Sequence, residues 1–98
     1  MLSEKELLEK AEIYIKEIEN ESKIPLVLGY DITIKKDYGS IFFYTSKQFL
    51  ETGDFKYAVA GNVPFLIEKK TGNIIEFGSS EPYEYYISEY EAGRWPIK

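Results

Sequence analysis

The stretch from Tyr38 to Ser80, YGSIFFYTSKQFLETGDFKYAVAGNVPFLIEKKTGNIIEFGSS, decides the fold, because a buried strand, an irregular crossing and a tight hairpin follow one another within it. Ile41-Phe42-Phe43-Tyr44-Thr45 is short and apolar on both faces, the pattern of a strand deep in a sheet. The two-residue period then stops. Ser46 is placed to cap a short helix over 47–51, which Gly53-Asp54 would end. Residues Phe55 to Ala60 suit either a helical turn or a short strand. Gly61-Asn62-Val63-Pro64 must turn, since Gly and Asn tolerate positive φ and Pro64 has no N–H to give a ladder. Phe65-Leu66-Ile67-Glu68 and Ile74-Ile75-Glu76-Phe77 flank the turn Lys69–Asn73 as a hairpin.

Upstream, Leu26, Leu28, Tyr30, Ile32 and Ile34 alternate with Val27, Gly29, Asp31, Thr33 and Lys35, which predicts one half-buried strand. The turn residues Lys36–Gly39 join it to Ile41–Thr45 as a first hairpin. Before it, Leu7, Leu8, Ala11, Tyr14, Ile15 and Ile18 form the apolar stripe of an amphipathic helix from Ser3 to about Asn20, with Ser3 and Glu6 as a capping box. Ile13 falls off that stripe and is expected to be exposed. Downstream, Ser79 or Ser80 is expected to cap a last helix with Pro82 in its first turn. Tyr83, Tyr86, Ile87 and Tyr90 share its inner face, and Gly93 ends it. The expectation is therefore an α+β domain over residues 1–98. It has a roughly four-stranded antiparallel sheet and the order α-β-β-(short α)-β-β-α, and at 98 residues there is chain for one compact core.

The formal net charge of −5 opposes nucleic acid and anionic membrane, and suits a basic protein partner. With no Cys and no His, thiolate and imidazole chemistry, disulfides and ordinary zinc sites are excluded, and no cofactor is expected. No apolar run has the length of a membrane span and the N-terminus lacks a signal pattern, so the expected compartment is the cytoplasm. No G-x-S-x-G, Walker or dinucleotide-binding glycine pattern and no EF-hand loop occurs. Asp31, Asp37, Glu51, Asp54, Glu68 and Glu76 remain as carboxylates whose separation the sequence leaves open. Nine tyrosines are more than one small core comfortably buries, and tyrosine suits protein recognition. Tyr85, flanked by Glu81, Glu84 and Glu89 on the outer face of the last helix, is the first candidate for a partner contact, with Tyr38 in a turn and Trp95 in the tail behind it.

Phe49-Leu50-Glu51-Thr52-Gly53-Asp54, Ala60-Gly61-Asn62-Val63-Pro64-Phe65, Thr71-Gly72-Asn73 and the final pattern of Pro82, Tyr86, Ile87, Tyr90 and Glu91 resemble, in order and spacing, the immunity protein 35 family, also called the YrhB-like domain. The resemblance runs from Gly39 to Glu91. It implies a small α+β domain that protects a bacterial producing cell by binding a cognate polymorphic toxin, without catalysis or cofactor. One departure stands out: the family often carries Trp after the glycine opening the second strand, where this chain has Ser40. The alternative reading is a general cytosolic protein-interaction or chaperone-like protein, with a carboxylate enzyme third. The glycines, Asn62 and Pro64 that carry the likeness have backbone reasons for their identity, so partner specificity is expected in side chains outside the motif.

Overall fold

The computed structural model of the chain describes residues 1–53, 64–78 and 80–96. The segment Phe55–Ala60, the turn at Gly61–Val63 and Ser79 as a helix cap lie outside them.

Helix α1 (Glu4–Ser22) forms where the capping box and the apolar stripe coincide. The Ser3 hydroxyl accepts from the Glu6 N–H at 3.2 Å, and the Glu6 carboxylate accepts from the Ser3 N–H at 3.0 Å. Leu7, Ala11 and Ile15 are buried, Leu8, Tyr14 and Ile18 pack beside them, and Ile13 faces water.

Six strands follow in the order β1 (Leu26–Leu28), β2 (Ile34–Lys36), β3 (Gly39–Phe42), β4 (Tyr44–Ser46), β5 (Phe65–Glu68) and β6 (Ile74–Glu76). Four of them make an antiparallel sheet in the order β2-β3-β5-β6, while β1 and β4 pair separately. The expected strand from Leu26 to Ile34 is thus not continuous. Leu28 lies opposite Tyr44 and Ile34 opposite Ile41, so residues 29–33 on one side face only 42–43 on the other. The surplus folds outward as a 3₁₀ turn, Tyr30–Ile32. Gly29 N–H still donates to Phe43 O at 2.7 Å, and Ile32 N–H then returns to Gly29 O at 3.3 Å. Tyr30 and Ile32, on the inward row of the alternation, end up 57% and 54% exposed. The same interruption splits Ile41–Thr45 between β3 and β4 at Phe43.

The central strands β3 and β5 are buried on both faces because a helix covers each side. Phe42, Phe65 and Ile67 point to α1 and join Leu7, Ala11, Ile15, Leu26 and Leu28. Ile41 and Leu66 point the other way, to Phe77 and to Tyr86 and Ile87 of helix α3 (Tyr83–Glu91). Close pairing of β3 and β5 requires Gly39, where a Cβ would stand 2.2 Å from the Ile67 carbonyl oxygen.

Helix α2 (Lys47–Thr52) forms as its cap predicts: the Ser46 hydroxyl accepts from the Phe49 N–H at 3.0 Å, and Gly53 ends the helix at φ 69°. The expected serine cap of α3 is corrected. Pro82 itself occupies the N-cap, in extended backbone at ψ 154°, and makes no side-chain cap bond. Ser80 turns inward instead, 2.9 Å from the Tyr86 hydroxyl. At the other end Gly93 follows the last turn, and Arg94 and Trp95 N–H groups both donate to Glu89 O. Among the described residues no helix is long and apolar enough to cross a membrane.

Candidate functional site

Short helices gain most of their stability from packing, and α3 is held on its inner side by aromatic contacts. The Tyr86 ring stacks on Phe77 at 5.9 Å and meets the Trp95 ring edge-on at 4.8 Å. Tyr83 contacts Phe43 edge-on at 5.1 Å, and Tyr90 lies 4.9 Å from Tyr38. The outer side is thereby fixed in direction.

Two of the five sequence candidates, Glu84 and Tyr85, lie on α3, and Glu81 comes just before its Pro82 cap rather than within the helix. Glu81, Glu84 and Tyr85 are all exposed, Tyr85 at 46%. The Tyr85 ring stands edge-on against Tyr86 at 5.2 Å, which braces it while leaving its far face in solvent. Among the described residues neither Glu81 nor Glu84 forms an ion pair. Glu89 differs. Arg94 Nε donates to its carboxylate at 2.9 Å, and this guanidinium, helped by the Tyr85 hydroxyl, holds the Glu89 carboxyl below its ordinary range. The free negative charge of α3 therefore sits at its N-terminal half, beside Tyr85.

Tyr38 and Trp95 are placed elsewhere, in structural duty. The Tyr38 hydroxyl donates to Glu91 Oε2 at 2.6 Å, and the Trp95 indole Nε1 donates to the Glu76 carbonyl at 3.1 Å on the outer edge of the sheet. Both rings are half-buried.

The tyrosine excess has a structural explanation in the same terms. Tyr14 donates to Glu76 at 2.7 Å, Tyr30 to Glu12 at 2.9 Å, Tyr38 to Glu91 and Tyr90 to Glu68. Each tie joins an aromatic ring that contributes apolar area to a carboxylate on another element or loop. Burial, followed by the neighbouring carboxylate, pushes the Tyr90 hydroxyl up to about 12, and Tyr14 and Tyr38 rise further for the same reasons. Tyr38 and then Lys36, whose Nζ is 3.5 Å from Glu91, hold the Glu91 carboxyl below its ordinary range. Carboxylate and phenol spacing along the chain does not show these pairs, because the partners are brought together by the sheet.

A feature that sequence reasoning missed lies on the opposite side of the sheet. Between the first turns of α1 and the start of β3 runs an open groove of about 350 Å³, walled by Leu8, Phe42 and Tyr30 and rimmed by Glu4, Lys5 and Lys35. Ser40 is at its floor, 3% exposed. The one cue to it in the sequence is Gly29, since an isolated glycine in an alternating run can mark a break, but only the fold shows that the break swings Tyr30 out to form one wall.

Among the described residues no group of three or more Asp and Glu side chains is arranged to hold a metal ion. The carboxylates Glu68 and Glu76 are occupied by tyrosine hydroxyls, Asp31 and Asp37 lie in separate turns, and Asp54 is outside the described residues.

The family model described as immunity protein 35 matches residues 5–93, which extends the likeness from the central strands to α1. Over 53 residues the chain is 43% identical to the uncharacterized protein YrhB of Escherichia coli (strain K12), an alignment covering 54% of this chain and 56% of that protein. The chain thus matches that curated relative over about half its length. No solved structure matches.

Proposed function

The chain belongs to the immunity protein 35 family, and from that premise we propose that it neutralises a cognate toxin by forming a stoichiometric complex with it. The toxin is held rather than chemically altered. The observation that carries this reading is the N-terminal end of α3, where the exposed ring of Tyr85 is accompanied by two exposed carboxylates without ion pairs, Glu84 on the helix and Glu81 just before its cap. Tyr86 and Ile87 lock the same helix from behind, so little further ordering is needed on binding. Such a surface favours a basic partner: unpaired acid speeds encounter and rejects acidic proteins, and a braced tyrosine supplies apolar contact at small entropic cost.

The test is binding to the product of the neighbouring gene, the candidate toxin, by wild type and by two variants. Glu84→Lys and Tyr85→Ala should each weaken the complex by roughly tenfold or more, the range of interface hot spots. Their unfolding midpoints should fall only slightly, because both side chains project from the core and give up no more than the edge-on contact of Tyr85 with Tyr86 and the acid of Glu84 in the first turn of α3. Wild-type affinity in both variants would remove α3 as the epitope.

A further inference from the structure

The groove beside α1 holds a polar group with no use inside the fold. Ser40 is 97% buried, on the 3% exposure already given, yet its hydroxyl makes no hydrogen bond to the protein. It is not sealed in either, since no buried side-chain oxygen or nitrogen among the described residues is left without a partner. The hydroxyl therefore opens through the one face left to it, into the groove it lines. A buried hydroxyl costs stability unless something completes its hydrogen bonding.

The surroundings define what would complete it. Leu8, Phe42 and the ring of Tyr30 give apolar walls, and Thr33 is already spent on Gly29 O at 3.2 Å. About 350 Å³ is near the lower end of the 300–1,000 Å³ typical of ligand clefts, space for one ring rather than an extended chain. The rim is locally basic although the chain is acidic: Lys35 pairs with Glu4 at 3.1 Å, and Lys5 has no ion-pair partner among the described residues. An occupant with an aromatic body, a hydrogen-bonding tip and a neighbouring carboxylate for Lys5 matches each of these features.

We propose that this groove receives a tyrosine or tryptophan side chain of the toxin, its ring between Leu8 and Phe42, its polar tip on the Ser40 hydroxyl and an adjacent acidic residue at Lys5. The proposal rests on the reading that the partner is a protein toxin, and adds a second anchor on the face opposite α3. The two anchors have opposite local charge, so one partner must present a basic and an acidic patch in the matching arrangement.

Two measurements on the full chain test it. In NMR titrations with p-cresol and with toluene as probes, p-cresol should shift the amides around Leu8, Ser40 and Phe42 in a saturable way. Ser40→Ala should weaken p-cresol about fivefold, the effect of one hydrogen bond, and leave toluene unchanged. Shifts located elsewhere, or equal loss for both probes, would overturn the site. In toxin binding, Ser40→Ala and Lys5→Glu should each lower affinity at least threefold. If both bind the toxin like wild type while Glu84→Lys does not, the groove proposal fails and the immunity reading stands. If wild type itself does not bind the toxin, the immunity reading fails, and the p-cresol titration still decides whether the groove is an aromatic site.

Discussion

The two faces of the four-stranded sheet are covered by different means. On one, the 19-residue helix α1 packs a mostly aliphatic stripe onto Phe42, Phe65 and Ile67. On the other, the nine-residue helix α3 is held by rings and by hydroxyl-to-carboxylate ties, with Trp95 returning from the tail to close the edge of β6. Hydroxyl-to-carboxylate ties reach α1 too, Tyr14 to Glu76 and Tyr30 to Glu12. But α1 adds a long buried stripe to them, whereas a helix of two and a half turns lacks that area and depends more on directional contacts. Directional contacts fix orientation as well as position. The inner side of α3 is thereby fixed in direction, and beside α1 a groove stays open at Ser40.

The largest effect should come from the area-based side. Phe65 is fully buried and touches the rings of Tyr14, Phe42 and Tyr44. Phe65→Ala is expected to cost about 3–5 kcal/mol in denaturant unfolding. A loss below about 1 kcal/mol would show that α1 is not held by this cluster.

Smaller and more specific effects should come from α3. Tyr90→Phe removes the hydroxyl that donates to Glu68 while keeping the ring beside Tyr38, and should cost about 1 kcal/mol. Its pH dependence separates a tie from simple packing. Because the Tyr90 hydroxyl is raised from 10 to about 12, the folded protein keeps a proton that the unfolded chain loses above pH 10. The contribution is full below pH 10 and is lost as pH rises from 10 to 12. Tyr90→Phe should make that alkaline fall in unfolding midpoint shallower, and an unchanged slope would assign the helix to packing alone. Glu91 and Glu89 act in the opposite sense. Their lowered carboxyls stabilise above the ordinary value of 4.5, and that contribution disappears as pH falls through the lowered values. Smallest of all, Glu84→Lys should lower stability by about 0.5 kcal/mol: the carboxylate has no ion pair to lose, but a cation replaces an acid in the first turn of α3, at the positive end of the helix dipole.

Sequence patterning exposed what is local and periodic. The stripe of α1, the caps at Ser3 and Ser46, the doubly buried β3 and the hairpin from Phe65 to Glu76 all follow from spacing within a few residues. The interrupted first hairpin did not, because alternation across Tyr30 and Ile32 satisfies a strand whether or not three surplus residues leave the ladder, and only the partner strand counts them. Tyr38 and Trp95 illustrate the same limit. Both read as exposed aromatic residues, and both are spent on Glu91 and Glu76, positions brought near only by the sheet and the last helix. Tyr85 and Glu84 were legible as exposed because helical spacing sets which side of α3 they take, whereas Glu81, read as part of the helix, lies just before its Pro82 cap. The Ser40 groove was not legible, since its walls come from α1, β3 and the outward turn.

The central claim is that protection comes from holding the toxin. Titrating purified protein into the candidate toxin in a calorimeter, with residual toxin activity followed in the same samples, tests it most directly. The account predicts one sharp equivalence point at equal concentrations, with toxin activity vanishing at that ratio. Loss of toxin activity at a small fraction of that ratio, or protection with no heat of binding, would contradict it.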